Sequence, residues 1–263
     1  MLNLQTLSIQ RDIYSTFIKE SRWKYLLDGL GNTLVITLFA AIIGIILGFI
    51  VAVIRSSADK LKKQDNYKSF FGYIKARCSK TEGVKRISIG RLVFYLADAV
   101  CKLYLIIIRG TPVLVQLLIL NFWLLVGISE YKLLIAIIAF GVNSGAYVAE
   151  IVRAGIMSID HGQEEAGRSL GLSFIQTMRS IILPQAFKNV LPALCNEAIV
   201  LLKETSIAGY IAVLDLTKGG DIIRSLTYNP FPLFVVAAIY LIVVIVLTKL
   251  LGILERRLRS SER

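Results

Sequence analysis

The sequence predicts an all-α integral membrane protein. Of its 263 residues, 56% are hydrophobic and 18% are charged, which is more apolar surface than a soluble chain of this length buries. The apolar residues come in long runs such as 31–54, which is longer than the ~20 residues that cross a bilayer as a helix. One stretch between two such runs, 159–192, is too polar for lipid and must face water or another protein.

Five transmembrane helices are expected from the apolar runs. They lie at residues 31–54, 92–126, 132–152, 189–214 and 232–254. The segment before them, 1–30, alternates apolar and basic side chains, which favours an amphipathic helix at the membrane interface. The sequence therefore predicts an amphipathic N-terminal segment, a five-span domain over 31–254 and a short tail over 255–263.

Basic residues predict the orientation of the chain. Residues 55–91 contain eleven Lys and Arg against three acidic residues, and short loops of this kind lie in the cytoplasm. The tail 255–263 is basic as well. We therefore expect a multi-pass protein of the cell membrane with its N-terminus outside and its C-terminus in the cytoplasm. Residues 55–91 form a solvated loop on this interpretation, and a regulatory or lipid-binding insert is the alternative.

The second apolar run is interrupted by Arg109, Gly110, Thr111 and Pro112. A break at membrane depth leaves backbone groups unpaired, which is tolerated only beside protein or a water-filled cavity. We expect one long broken helix whose break belongs to the working interior of the protein, and a simple kinked helix is the alternative.

Polar side chains also recur inside the third and fourth spans. They are Asn143, Tyr147 and Glu150 of the third span and Asn196, Glu197 and Lys203 of the fourth. The first set lies on one helical face, whereas Asn196 and Lys203 share one stripe of the fourth span and Glu197 lies on the neighbouring stripe. Ionisable groups in a span usually point at a partner or a pathway. Two interpretations stay open, namely the lining of a pathway and a structural pairing such as Glu150 with Lys203.

The polar stretch has its own local signals. Gly162 and Gly171 bracket a short run rich in small residues, which predicts a helix. Ser173 is suited to cap a second helix, and Pro184 is expected to end or kink it. The resulting pattern is a helix, a turn, a second helix and a break on the cytoplasmic side.

Several enzyme classes are disfavoured by the sequence. It contains no Gly-x-x-x-x-Gly-Lys-Ser/Thr loop for ATP phosphates, and no grouping of a nucleophile with a base. A single histidine and three widely spaced cysteines support neither a metal site nor a disulfide framework. We therefore expect a protein that is not an enzyme and that holds no metal and no cofactor of its own.

Residues 27–254 resemble the permease subunits of bacterial ATP-binding-cassette importers, in the branch that takes up polar amino acids. Glu165-Ala166-Gly167, then Gly171 and Ile181-x-Leu183-Pro184, resemble the EAA loop of these subunits, although the third residue of that motif is usually alanine. Further matching motifs are Arg109-Gly110-Thr111-Pro112 with Gln116, Gly145-Ala146-Tyr147 with Glu150, Arg153 and Gly155, Gly162-Gln163, Leu183-Pro184-Gln185-Ala186, Asn196, and Lys203-Glu204-Thr205-Ser206.

The resemblance implies a type I importer permease fold and a set of partners. It implies two ATPase subunits that use ATP, a second permease subunit in a homodimer or heterodimer, and an extracytoplasmic solute-binding protein. The cargo is a polar amino acid, and opines and sulfur-containing amino acids share the branch.

The resemblance also assigns residues to two kinds of site. The ATPase-coupling residues, in the cytoplasmic loop 159–188, are Glu164, Glu165, Ala166, Gly167, Arg168 and Gly171. The candidates for the substrate pathway are Arg109, Thr111, Gln116, Asn143, Tyr147, Glu150, Asn196, Glu197 and Lys203.

Two other membrane-protein classes are alternatives. A secondary transporter usually has ten or more spans and internally repeated halves, and the sequence shows neither. A channel or scaffold without an ATPase partner leaves the EAA spacing unexplained.

Overall fold

The computed structural model describes residues 14–65 and 89–260, and the regular elements within these ranges are all helical. The long helices are α1 (Trp23–Asp65), α2 (Ile89–Gly110), α4 (Lys132–Met157), α7 (Leu183–Glu204) and α9 (Phe231–Ser260). The short helices are α3 (Val113–Ile119), α5 (His161–Ser169), α6 (Phe174–Thr177) and α8 (Leu216–Thr227). The all-α class is therefore confirmed, while residues 1–13, 66–88 and 261–263 of the predicted terminal segments and basic loop lie outside the described residues.

Short π and 3₁₀ segments precede or connect several of these helices. The π turns are Tyr14–Ile18, Leu120–Leu124 and Met178–Ile182, and the 3₁₀ turns are Lys19–Ser21, Val126–Ile128 and Thr205–Ile211. Helix α1 begins within the segment predicted to be amphipathic and extends into the predicted basic loop.

Three helices of the described chain are long and apolar enough to cross a membrane by themselves. They are Trp23–Asp59 of α1, all of α4 and Phe231–Ile253 of α9. A fourth crossing results if Leu92–Gly110 and Val113–Leu124 form one broken span. Its interruption at Thr111 and Pro112 is the predicted break. Helix α7 carries charged residues along its length, so the total of five spans stays a prediction.

The helices fall into two compact units. Among the described residues, unit 1 contains those up to Ile43, Val113–Val142 and those from Pro192 onward, and unit 2 contains Gly44–Pro112 and Asn143–Leu191. The core of unit 1 includes Ile36, Leu117, Phe140 and Leu201, each fully buried. These side chains come from four different helices, so the apolar runs pack against one another in this unit.

Helix α8 of unit 1 lies between the fourth and fifth predicted spans, where the sequence analysis predicted no helix. Asp215 caps the helix, since its Oδ2 accepts a hydrogen bond from the Thr217 backbone N–H at 2.9 Å. Leu216, Gly219, Gly220 and Ile223 are buried at helical spacing. The paired glycines allow close packing, because a Cβ at Gly220 would meet the side chain of Val236.

Unit 2 is built around small residues of α1 and α4. Its core contains Val51, Leu105 and Ala149 from α1, α2 and α4. A Cβ at Gly44 would lie 3.0 Å from the Cβ of Ser144. Gly48, four residues further along α1, also lies close to α4, because a Cβ there would meet the side chain of Val148.

Candidate functional site

Helix α5 is capped at both ends. At its start, the Gly162 N–H donates to Asp160 Oδ1 at 2.8 Å, so Gly162 lies in the first turn rather than outside the helix. At its end, the Leu172 N–H donates to the Gly167 carbonyl at 3.1 Å. Gly171 adopts φ +79°, the left-handed conformation that closes a helix and favours glycine. The short helix predicted in the polar stretch is confirmed.

The coupling residues predicted from the motif divide between two faces of α5. Gly167 is buried against Thr177 and Ile181 of the following segment. Glu165, Ala166, Arg168 and Gly171 are exposed, and Glu164 is half-buried. The helix therefore packs on its glycine and presents both a carboxylate and a guanidinium on its open face.

The segment after α5 begins with a reciprocal cap. The Gln176 N–H donates to Ser173 Oγ at 3.3 Å, and the Ser173 N–H donates to Gln176 Oε1 at 2.8 Å, which forms a capping box. The predicted capping role of Ser173 is confirmed. Pro184 does not end the helix, because the π turn Met178–Ile182 continues directly into α7. The π turn before Pro184 accommodates a residue that has no backbone N–H to donate.

Unit 2 contains a pocket of about 630 Å³. It is lined by Arg55 of α1, by Lys102, Leu105, Ile106, Arg109 and Gly110 of α2, and by Tyr147 and Glu150 of α4. The pocket thus combines charged groups with apolar side chains beside the break between α2 and α3.

Arg109, Tyr147 and Glu150 form one end of this pocket. The Arg109 Nη1 donates to Glu150 Oε2 at 2.9 Å, and the guanidinium carbon lies 5.8 Å from the centre of the Tyr147 ring, within the range of a cation–π interaction. Arg153 lies 3.8 Å from the other oxygen of Glu150. Three of the pathway candidates therefore meet, and within unit 2 the closest partner of Glu150 is Arg109.

Arg55, Asp98 and Lys102 form the other end, which the sequence analysis missed. The carboxylate of Asp98 is only 3% exposed and lies 3.4 Å from Lys102 Nζ and 3.8 Å from Arg55 Nε. Asp98 and Lys102 are four residues apart inside a predicted span. A charged pair at that spacing on one helical face is the signal that identifies this cluster.

The remaining pathway candidates lie on several elements. In unit 2, Thr111 is exposed at the break with its Oγ donating to the Ile107 carbonyl at 2.8 Å, and Asn143 is buried in α4. In unit 1, Gln116 and Glu197 are half-buried, and Asn196 and Lys203 are exposed on α7. Their participation in one pathway stays a prediction.

Comparison with known proteins assigns the chain to a family. Residues 87–260 match the family described as binding-protein-dependent transport system inner membrane component. The chain belongs to this family. The match includes α5 and both ends of the charged pocket apart from Arg55, so the features that carried the motif resemblance lie within the family domain.

Two known permease proteins are similar to much of the chain. The arginine transport system permease protein ArtQ of Bacillus subtilis is 35% identical over 241 residues, which are 90% of this chain and 94% of that protein. The glutamine transport system permease protein GlnP of Escherichia coli K12 is 37% identical over 169 residues, which are 63% of this chain and 77% of that protein.

Solved structures share the fold. A crystal structure of an amino acid ABC transporter with histidines superposes with a TM-score of 0.72 at 37% identity, covering 92% of this chain and 98% of that one. An inward-facing MetNI methionine ABC transporter superposes with a TM-score of 0.66 at 19% identity, covering 90% and 97%. The latter likeness concerns the fold alone.

Membership in the family confirms the main sequence predictions. The chain is a permease subunit of an ABC importer, with the type I importer permease fold, and a multi-pass protein of the inner membrane. Members of this kind are transport components rather than enzymes. ATP is used by partner ATPase subunits, and a second permease subunit completes the membrane part of the transporter.

Proposed function

We propose that this permease carries a polar amino acid across the membrane and that separate ATPase subunits drive it through α5. The observation that carries the proposal is the exposed, charged face of a short helix capped at both ends. A helix of nine residues that is capped at both ends moves as a rigid unit, because the backbone groups of its end turns have hydrogen-bond partners.

The chemistry of α5 suits a protein partner. Glu165 and Arg168 are exposed and carry opposite charges, so they complement charged groups at the rim of a groove. Ala166 and Gly171 are also exposed and have little or no side chain, which allows close approach to the backbone. Closure of the two ATPases around ATP would then move α5 and, through the chain on either side of it, α4 and α7.

Exposed aromatic residues of unit 1 mark span ends at a membrane–water interface. Trp23 lies at the start of α1, Trp123 after α3, Tyr131 before α4 and Tyr228 before α9, and all are exposed. Each position is an end of a span that the basic residues place outside. Tyr and Trp are enriched at both membrane–water interfaces, so these side chains fit an interfacial belt, and the basic residues alone assign that belt to the outer side.

The cargo assignment draws on relatives and on charge. Relatives are named for arginine and glutamine transport, and one similar structure is that of an amino acid ABC transporter. The pathway candidates include carboxylates, amides and cations, which are the groups that bind the ammonium and carboxylate of a zwitterion. We propose that a solute-binding protein delivers this amino acid to the outer side.

Reversing one charge on α5 tests the proposal. Glu165→Lys is compared with Glu130→Lys, an exposed glutamate on the predicted outer side, in liposomes that contain the ATPase and the binding protein. We expect Glu165→Lys to lower amino-acid-stimulated ATP hydrolysis and uptake at least about fivefold, the equivalent of ~1 kcal/mol of lost coupling. Protein abundance and unstimulated hydrolysis should not change.

Glu130→Lys should behave as the wild-type protein. Equal stimulation in both variants would remove α5 as the coupling element. Uptake that persists without any ATPase subunit would instead favour a secondary transporter or a channel.

A further inference from the structure

Charged side chains of α1, α2 and α4 form a series of ion pairs within unit 2. Arg109 Nη1 of α2 donates to Glu150 Oε2 of α4 at 2.9 Å. The other oxygen of Glu150 lies 3.8 Å from Arg153 Nη1, also of α4. Arg153 Nη2 donates to Asp59 Oδ2 of α1 at 3.1 Å. Cations and carboxylates therefore alternate from the end of α2 to α1.

Arg153 is shared between two carboxylates. Its contact with Asp59 at 3.1 Å is a hydrogen bond, whereas its distance of 3.8 Å from Glu150 is too long for one. A guanidinium is a planar fork that can also bind a single carboxylate through two nitrogens. Asp59 therefore holds Arg153 just away from Glu150, and Arg109 is the residue of the series that hydrogen-bonds to Glu150.

The ion pairs of the series are weak enough to exchange. The side chains of Arg109 and Glu150 are 43% and 41% exposed, and those of Arg153 and Asp59 are 27% and 41% exposed. Ion pairs with this exposure contribute little to stability. Glu150 and Arg153 are three residues apart on one face of α4, so rotation of the Arg153 side chain is enough to bring it to Glu150. Arg153 would then compete with Arg109 for the same carboxylate.

We infer that Asp59 and Arg153 are positioning residues that determine whether Arg109 is bound to Glu150 or is free to bind a carboxylate in the pocket. Arg109 and Glu150 line the pocket. While Asp59 holds Arg153, Arg109 stays with Glu150. When Arg153 turns to Glu150, Arg109 is released, and a guanidinium without an internal partner binds the carboxylate of a ligand. The inference rests on the proposed function for the identity of that ligand, an amino acid.

A fluorinated tyrosine at position 147 tests this exchange. The guanidinium carbon of Arg109 lies 5.8 Å from the centre of the Tyr147 ring, so the fluorine NMR signal of the ring reports whether Arg109 stays in place. The measurement uses the full-length permease in the assembled transporter, in nanodiscs without amino acid. Glu150→Gln gives the reference signal for released Arg109.

Asp59→Asn should release Arg109, and the release should require Arg153. Loss of the Asp59 charge lets Arg153 pair with Glu150, so we expect the released fraction of Arg109 to increase about threefold. Arg153→Gln should not release Arg109, and the double variant should lose the release that Asp59→Asn causes. If the pairs only support the fold, both single variants should disturb the signal and the double variant should disturb it most. That result, or no release in Asp59→Asn, would overturn the inference.

Two matched variants show whether the effect belongs to the carboxylate of Asp59. Asp59→Glu keeps the charge and should give the wild-type signal. Glu130→Gln removes an exposed carboxylate of unit 1 and should also give the wild-type signal. A release in Glu130→Gln as large as in Asp59→Asn would show a general effect of charge and would refute the exchange.

Titration with arginine or glutamine tests the ligand separately. A threefold larger fraction of released Arg109 should lower the half-saturating concentration about threefold in Asp59→Asn. If neither amino acid changes the signal while Asp59→Asn still releases Arg109 through Arg153, the cargo assignment is wrong and the positioning role stands. If an amino acid binds equally well to wild type and to Asp59→Asn, Arg109 is not its ligand and the inference is refuted.

Discussion

Gly167 of α5 lies directly against Thr177, so that a Cβ at Gly167 would stand 2.7 Å from Thr177 Cγ2 and 2.8 Å from its Oγ1. Thr177 is fully buried, and both branches of its side chain occupy the space where the usual alanine of the motif would place its methyl group. The departure from the family motif at Gly167 is therefore matched by a larger neighbour. The glycine allows α5 to pack closely on the segment that follows it.

Gly167→Ala should loosen α5, and Thr177→Ala should restore it. Overpacking costs about 1–3 kcal/mol, which the better helix propensity of alanine offsets by up to ~1 kcal/mol. Hydrogen exchange of the α5 amides measures the local stability. The double variant should recover most of the protection, because Thr177→Ala removes both crowded branches. Full protection in Gly167→Ala alone would contradict the proposed packing.

Gly29→Ala should reduce the amount of folded protein much more than Gly31→Ala. A Cβ at Gly29 would lie 2.6 Å from the Asp215 carbonyl oxygen, whereas a Cβ at Gly31 meets nothing within 4 Å. Backbone atoms cannot rotate away, so we expect Gly29→Ala to cost at least about 1–3 kcal/mol. Gly31→Ala should be neutral or favourable by up to ~1 kcal/mol.

Fluorescence-detected size-exclusion chromatography after heating compares the two variants directly. They lie two residues apart on the same helix and undergo the same chemical change. Equal melting temperatures would show that α1 and α8 do not pack as closely as described.

Glu150→Gln should lower uptake much more than abundance. The side chains of Arg109 and Glu150 are 43% and 41% exposed, and exposed ion pairs contribute about 0–1 kcal/mol to stability. Loss of the charge should therefore leave most of the protein folded. If Glu150 lines the pathway, uptake should fall at least about tenfold, the equivalent of ~1.4 kcal/mol.

Quantitative immunoblotting of the membrane fraction and uptake of labelled amino acid are measured in the same cells. Parallel losses of uptake and abundance would assign Glu150 a structural role. The exchanged pair Arg109→Glu with Glu150→Arg should restore abundance in that case.

The stability of the region around the start of α8 should change with pH, in a direction set by the pKa of the Asp215 carboxyl. Burial raises the pKa of the Asp215 carboxyl, so the folded state holds this proton more tightly than the unfolded state. The resulting stability is fully present below the unfolded pKa of about 3.9 and is lost as the pH rises through the folded pKa. The melting temperature of Asp215→Asn relative to wild type should therefore increase from about pH 4 upward.

Asp221 is the control with the opposite sign. The side-chain hydrogen bond from Arg224 lowers the pKa of the Asp221 carboxyl, so its stabilising effect is present above the unfolded pKa and is lost as the pH falls through the folded pKa. Asp221→Asn should lose stability relative to wild type as the pH rises. The same pH trend in both variants would contradict these assignments.

The helical class and the capped α5 were predictable because their signals are local. Apolar runs, Ser173 with Gln176 and the Thr111–Pro112 break each act within a few residues. Helix α8 was not predictable from Gly219 and Gly220, since glycine pairs occur both in loops and at close contacts. A glycine pair at a close contact is recognised only from the backbone that lies next to it. Here a Cβ at Gly219 would meet the Tyr25 carbonyl.

The charged pocket was only partly predictable for a related reason. Spacing along one helix placed Tyr147 and Glu150 on the same face of α4. Pairing between helices depends on register, so the sequence did not reveal that Arg109 is the partner of Glu150 or that Arg55 approaches Asp98.

The contacts between α1 and the start of α8 form late during synthesis of the protein. The Asn32 side chain donates to the Leu214 carbonyl at 2.9 Å, and the Leu216 N–H donates to Thr33 Oγ1 at 3.1 Å, across separations of 182 and 183 residues. At ribosomal rates of ~5–20 residues per second, these partners are made roughly ten to forty seconds apart. Unit 2 ends at Leu191, so all of its residues are synthesised before α8. The first turns of α1 gain these two hydrogen bonds only after the residues at the start of α8 have been synthesised.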